Sequence, residues 1–449
     1  MTLQIKLPRL KRAPRSSGGS DLGLVATWWL SPVGMTLGFL VPLLLFIAEV
    51  GQVNDASVTV RSMNFLTAGY LWLATGIMLA MALAGWVGGH IEPRTVPEAP
   101  LDRIESAAAF IGWVMLAVYL FGFRVFLLNP GTIIDFLQGW RPSRGDRVAG
   151  LTSLQNFGAV FFTLVAYLVF LKKRPLNRSL RFLTMVLAFF TLLRAYAMSE
   201  RLAAIEIAVP AVICWLIAPG GRFERIKRIG RIGGPYVGLP LLIAYFAIGE
   251  YSRSWQAEVY HGKGSFMSFA LGRLATYYYT ALNNGAGGLT VNPDWPHYSF
   301  TTTLAWLHRF PLGIGEMFGS LVNARARGSG NFLELYGDPE FNNPSGIFAI
   351  VSDVGVVGGL IYYVLVGLLA GICYRRLIRG CLDGVLLYPM FVMNALEIYR
   401  YAYLSNQRAV PWALAIALTL LVVYRPQRGR LIKPRLSWSR KTGADGQRV

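Results

Sequence analysis

The chain has 449 residues, of which 54% are hydrophobic and 15% charged, with a formal net charge of +20. Soluble domains carry about 25% charged residues, whereas apolar runs of about 20 residues recur here, enough for a helix to cross a hydrocarbon core of about 30 Å. A water-soluble fold is excluded, a membrane β-barrel is disfavoured because the runs do not alternate, and nucleic acid is not implied, because the basic residues sit in short blocks between runs as the positive-inside rule expects.

In chain order, residues 1–29 form a basic segment holding Lys6, Arg9, Lys11, Arg12 and Arg15. The first apolar run is long and no small-residue cleavage site follows it, so it reads as an uncleaved span with a cytoplasmic N-terminus. Ten spans are predicted, at 30–50, 67–88, 107–128, 154–171, 181–198, 202–218, 233–250, 346–373, 384–404 and 410–424. Spans one to seven occupy 30–250 and spans eight to ten 346–424. Basic blocks at Lys172–Arg181, Arg222–Arg231, Arg375–Arg379 and in the 425–449 tail all fall on the N-terminal side. That agreement predicts an all-α transmembrane bundle with both termini inside. Cys214, Cys373 and Cys381 lie near its inner ends and suggest neither a disulfide framework nor a metal site.

Residues 251–345 read as one large external loop. Its tyrosines and tryptophans argue against disorder. Ser268–Leu282 and Thr301–Phe310 suit short interfacial helices, while Asn283-Asn-Gly285 and Gly337-Asp-Pro339 suit turns. The aromatics either anchor the loop at the interface or stack on sugar rings; Tyr278, Trp295 and Trp306 are the candidates, with Asn343 beside them. Gly367-x-x-x-Gly371 within a span predicts close helix packing inside the bundle.

The most informative pattern is the depth of the charges. Arg124, Arg194, Arg201, Glu206, Glu250, Asp353, Glu397, Arg400 and Arg408 all fall in the outer half of the predicted bilayer. Charges there are costly unless they face each other or a wet cavity. A transporter would place polar groups near the midplane and a channel along the whole path, so chemistry or binding at the outer face is favoured. Arginine binds phosphate bidentately, so Arg201 and Arg194, with Arg400 or Arg408 assisting, are candidates to hold a diphosphate. Each arginine could instead pair with an acid, for instance Arg201 with Glu206 or Arg400 with Glu397. Asp353, Glu250 and Glu397, in that order, are candidates for a general base. Arg144 and Arg147, in an external loop, are either a solvated turn or contacts to an acceptor. No metal, nucleotide or serine-hydrolase motif is present, and His261, His297 and His308 are scattered. No metal or cofactor is expected.

Three segments carry a family resemblance. Ser31-Pro32 opens the first span, Ser199-Glu-Arg201-Leu-Ala-Ala precedes the sixth, and Asn342-Asn-Pro-Ser-Gly-Ile-Phe-Ala-Ile-Val-Ser-Asp353-Val-Gly355-Val-Val-Gly358-Gly enters the eighth. With the topology, they make the chain resemble the O-antigen polymerase and ligase group of multi-spanning, GT-C-like glycosyltransferases. Ligases of that group carry a His-Asn pair where this chain has Asn342-Asn343, which favours polymerase. The resemblance implies joining of undecaprenyl-diphosphate-linked oligosaccharide repeat units at the periplasmic face of a bacterial inner membrane, without a metal; a chain-length regulator is a candidate partner. The alternatives are an O-antigen ligase-type transferase and a flippase or other transporter of lipid-linked oligosaccharide.

Overall fold

Ser31 and Pro32 have a local structural task. The Ser31 hydroxyl accepts from the Gly34 amide at 3.0 Å, and Pro32 follows at the first helical position, where its missing N–H costs nothing. The helix they open, α1 (Pro32–Glu49), contains a π turn at Thr36–Leu40. The Tyr399 hydroxyl donates to the Leu40 carbonyl at the end of that turn. The computed structural model describes residues 24–53, 63–92, 97–124, 128–129, 131, 154–197, 200–255, 265–292, 294–310, 313–322, 330–338 and 340–425.

The remaining principal helices are α2 (Ala68–His90), α3 (Leu101–Gly122), α4 (Phe157–Leu171), α5 (Arg178–Ala197), α6 (Leu202–Ile217), α7 (Glu224–Glu250), α8 (Phe266–Val291), α9 (Gly346–Ile378), α10 (Leu382–Glu397) and α11 (Ala409–Val423). Among the described residues the fold is all-helical, and six helices, α1, α2, α3, α5, α7 and α9, are long and apolar enough to cross a membrane, while α4, α6 and α11 are shorter apolar helices.

The closest packing joins α2 to α9. A Cβ on Gly367 would lie 2.1 Å from the Met81 carbonyl oxygen, and one on Gly371 2.1 Å from that of Gly85. The small-residue stripe expected from sequence therefore works inside the bundle, where it lets two backbones touch. At 33 residues, α9 exceeds what a bilayer core needs. It breaks at Gly355 (φ +79°, ψ 172°), in a region essentially restricted to glycine.

Residues 251–345 are not a loop alone. The 26-residue α8 packs against α1, α7 and α9, and the Asn-Asn-Gly predicted as a turn lies within it. Both asparagines are buried and act as clasps. Asn283 Oδ1 accepts from the Phe65 and Leu66 amides at 2.7 and 3.0 Å, and its Nδ2 donates to the Met63 carbonyl at 2.9 Å. Asn284 Nδ2 donates to the carbonyls of Phe341 (2.7 Å) and Asn343 (3.2 Å). Turn propensity is a local preference, and tertiary partners for the amide groups override it. In the same stretch, Ala305–His308 is helical and Ile314–Leu321 forms an eight-residue helix. Asp338 supports a turn through Glu340, whereas Pro339 lies outside the described residues.

Basic residues gather at one end of the bundle. Lys172 pairs with Glu98 at 2.5 Å, Arg174 with Asp102 and Glu105 at 2.8 and 2.6 Å, and Arg376 with Asp383 at 2.5 Å. Lys227 and Arg231 cap the last carbonyls of α6. Glu92 accepts from Arg379 at 2.6 Å and meets Arg375 at 3.5 Å. The hydrogen bond and charge of Arg379 hold its carboxylate below the usual range.

Two outcomes follow from these contacts. Gly367→Leu should force α2 and α9 apart and cost roughly 1–3 kcal/mol or more, read as a lowered thermal midpoint in detergent. Glu92, with its folded-state pKa depressed, contributes stability above its unfolded pKa that is lost as pH falls through the folded value. Glu92→Gln should therefore melt below wild type at neutral pH, and the two curves should converge as the pH is taken down through the carboxylate range.

Candidate functional site

The opposite end of the bundle holds a charge cluster built from helix termini. Arg194 sits in the last turn of α5 and Arg201 at the N-cap of α6. Glu250 closes α7, Glu397 closes α10, and Arg408 is the N-cap of α11. Antiparallel neighbours bring these ends together, so five helix termini from three stretches of sequence converge on one level.

The charges meet mainly as pairs. Arg194 donates to Glu200, and Arg408 reaches the same Glu200 oxygen at 3.4 Å. Arg408 also lies 3.5 Å from Glu206, which accepts from the Tyr403 hydroxyl at 2.8 Å. Arg201 donates to one oxygen of Glu250, and Arg273 to the other at 2.6 Å. Arg273 continues to Glu340 at 2.9 Å. Arg400 pairs with Glu397 at 2.9 Å, as one of the sequence alternatives anticipated. The other anticipated pair does not form: Arg201 takes Glu250, 49 positions away, in place of Glu206. Among the described residues, Arg194, Arg201, Arg273, Arg400 and Arg408 thus face Glu200, Glu206, Glu250, Glu340 and Glu397, so the cluster as a whole is close to neutral. Near-neutrality is what a low-dielectric setting demands, since an unpaired buried charge is far more costly than a paired one.

A cavity of about 250 Å³ opens within this cluster. Its charged lining is Arg201, Arg400 and Arg408 against Glu200 and Glu397, one positive charge in excess. Tyr245, Tyr277, Tyr278 and Tyr401 supply aromatic walls, and Leu202, Ile205, Leu242 and Leu274 an apolar side. Arg201 stacks on Phe246 with its guanidinium carbon 4.4 Å from the ring centre. Arg400 lies between Tyr277 and Tyr401 at 5.4 and 5.8 Å. Such stacking fixes the plane of a guanidinium and leaves its edge free to donate. Arg400 Nε is buried with no hydrogen-bond partner among the described residues, while Arg408 Nη1 has the Glu206 carboxylate at 3.5 Å. Buried donors are normally satisfied; in this cluster the Nε groups of Arg194 and Arg400 are exceptions among the described residues.

Of the candidate site residues, the cavity gathers Arg201, Arg400, Arg408, Glu397 and Tyr278. Arg194 and Glu250 stand directly behind it, bonded to Glu200 and Arg201. Four others do not line it. Asp353 is buried, and its carboxylate accepts from the Ser299 hydroxyl (3.1 Å), the Thr302 and Thr303 amides (3.1 and 2.8 Å) and the Thr303 hydroxyl (2.9 Å). It ties the segment after the Trp295-Pro296 bond onto α9. Trp295 donates from Nε1 to the Leu289 carbonyl at 3.0 Å, Trp306 packs edge-on against Phe310, and Asn343 gives its carbonyl to Asn284. Arg144 and Arg147 lie outside the described residues. Arg273 and Glu340 were not foreseen. Arg273 is the lone charge in the α8 sequence, a signal that was readable once that stretch was recognised as one long helix.

The contacts of Asp353 give a direct test. Asp353→Ala strands buried donors and should cost about 1–3 kcal/mol for each one left without a partner. Asp353→Asn keeps an acceptor for Thr302 and Thr303 and should lower the thermal midpoint in detergent less than Asp353→Ala does. Among the described residues no group of His, Cys, Asp and Glu is arranged to hold a metal. No known protein family, curated protein or solved structure matches this chain, so the reading of the site rests on its own geometry.

Proposed function

We propose that this chain is a polymerase-type glycosyltransferase of a bacterial inner membrane, with ten spans, both termini inside and a GT-C-like arrangement. It joins undecaprenyl-diphosphate-linked oligosaccharide repeat units at the periplasmic end. The observation that carries the reading is a cavity lined by Arg201, Arg400 and Arg408 against Glu200 and Glu397, with one surplus positive charge and an apolar side. A diphosphate supplies acceptors for planar guanidinium forks, and the lipid that bears it suits the side formed by Leu202, Ile205, Leu242 and Leu274. The basic end of the bundle lies opposite the cavity, so the positive-inside rule turns the cavity outward.

In this reading an acceptor sugar hydroxyl attacks the anomeric carbon of the donor glycan. The new C–O bond forms as the bond from that carbon to the diphosphate oxygen breaks, and undecaprenyl diphosphate departs with the bonding electron pair. Arg400 and Arg408 stabilise the charge that develops on the leaving oxygen. Glu397, the one of the three base candidates that lines the cavity, receives the hydroxyl proton, provided that substrate draws Arg400 away from it. Tyr277, Tyr278 and Tyr401 are placed to stack on sugar rings. Arg201 lines the cavity with its guanidinium held by Glu250, and Arg194, bonded to Glu200, supports the site from behind.

The test is chain extension by purified protein in vesicles, supplied with undecaprenyl-diphosphate repeat units. Arg400→Gln and Arg408→Gln should each reduce extension by about 100-fold or more at equal folded protein, with Glu397→Gln comparably impaired. Wild-type rates in both arginine variants would remove the diphosphate role. Transfer onto a lipid A core with no growth in repeat number would identify a ligase, and movement of substrate between leaflets without bond formation a flippase.

A further inference from the structure

Helix α7 differs from the rest of the bundle. Of its 27 residues only Lys227, Ala247 and Glu250 are buried. The two charged ones sit near opposite ends. Lys227 donates to the carbonyls of Ala218 and Gly220, and Glu250 bonds Arg201 and Arg273. Between these anchors the backbone departs from helical geometry at Gly233 (φ −118°, ψ 21°), with Pro235 and Pro240 just beyond. Each proline removes a helical hydrogen bond, and a Cβ added at Gly233 or Gly238 would meet nothing within 4 Å. The helix is fixed at both ends and interrupted in the middle.

The second half of α7 forms a wall of the cavity through Leu242, Tyr245 and Phe246. Its described polar and aromatic ties to α6 at this end converge on one residue. Glu250 accepts from the Arg201 guanidinium, the Tyr245 hydroxyl donates to the Arg201 carbonyl at 2.9 Å, and Phe246 stacks on the Arg201 side chain. Towards α8 the ties are independent of Arg201: Glu250 to Arg273, and Phe246 against Tyr277 with ring centres 5.6 Å apart.

We infer that the outer half of α7 is a lateral door to the cavity, latched to α6 by Glu250 on Arg201. An anionic headgroup arriving in the membrane takes Arg201 from Glu250 and opens the seam between α6 and α7. The inference rests on the reading of the cavity as an anion site. The exchange is permissible because no charge is stranded by it. Arg201 passes from a carboxylate to a phosphate, and Glu250 keeps Arg273. Breaking the same pair without a replacement anion would leave a buried guanidinium uncompensated, so the door stays shut in the absence of ligand. The ligand opens it by the difference between its affinities for the two states, with the Gly233–Pro235 break as hinge. The seam bears Leu202 and Ile205 on one side and Leu242 on the other, suited to a hydrocarbon chain behind the headgroup.

The experiment is a distance measurement by pulsed electron resonance in lipid nanodiscs. Nitroxides are placed at Leu192→Cys on α5 and Ile248→Cys on α7, both exposed on the outer surface of the bundle, with Cys214, Cys373 and Cys381 replaced by alanine. Wild type should give one narrow distance. Arg201→Gln with Tyr245→Phe should add a longer distance and raise the ratio of open to closed at least tenfold without ligand. Undecaprenyl diphosphate should do the same to wild type, and uncharged undecaprenol should not. An unchanged single distance in the folded latch variant would overturn the door. If that variant does not fold, the wild-type arm decides: bound undecaprenyl diphosphate with no distance change overturns it equally. Opening of the latch variant in a protein that does not bind undecaprenyl diphosphate would uphold the door and remove the diphosphate reading instead.

Discussion

Neutralisation of buried guanidinium groups by buried carboxylates is the constraint on which this end of the molecule depends. An isolated charge in a low-dielectric bundle is too costly to keep, so each arginine fixes the position of at least one glutamate. Those glutamates sit on different helices. Glu250 joins α7 to both α6 and α8, and Glu200 joins the end of α5 to the start of α11. The network therefore sets the relative height of five helix termini, and the cavity is the space left where their side chains do not fill the centre. Its excess of one positive charge is a small departure from balance. A small departure suits a ligand that must be released after each cycle.

The opposite end obeys the same rule in a milder setting. Lys172, Arg174, Arg375 and Arg379 pair with Glu98, Asp102, Glu105 and Glu92 where water reaches several of the partners. Exposed pairs contribute little to stability, and the value of these basic residues lies in orientation across the bilayer. Between the two ends, helix contact is set by small residues, most clearly where Gly367 and Gly371 of α9 meet α2.

Much of the helical framework was legible in the sequence because apolar length is a strong signal. The Gly367-x-x-x-Gly371 contact and the Arg400–Glu397 pair were legible for the same kind of reason, being local in sequence. What escaped was non-local. Asn283 and Asn284 carry strong turn preferences, and only their distant partners, at 63–66 and 341–343, show why they sit inside α8. Taking Ser268–Leu282 as a short interfacial helix, and not as part of the longer α8, hid Arg273, the second partner of Glu250. Asp353 looked like a candidate base because of its depth, yet depth does not reveal that four donors from 299–303 already occupy its carboxylate. Sequence placed Arg194, Arg201, Arg400 and Arg408 at one level, and the structure then set Arg201, Arg400 and Arg408 along the cavity and Arg194 behind it.

The central claim is that the cavity holds the anionic headgroup of a membrane lipid. An experimental density map of the protein in a lipid nanodisc, saturated with undecaprenyl diphosphate, tests it most directly. The account predicts phosphate density in the cavity against the guanidinium groups of Arg400 and Arg408, with the lipid chain leaving past Ile205 and Leu242. An empty cavity at saturation, or phosphate density at the basic end beside Arg375 and Arg379, would contradict it.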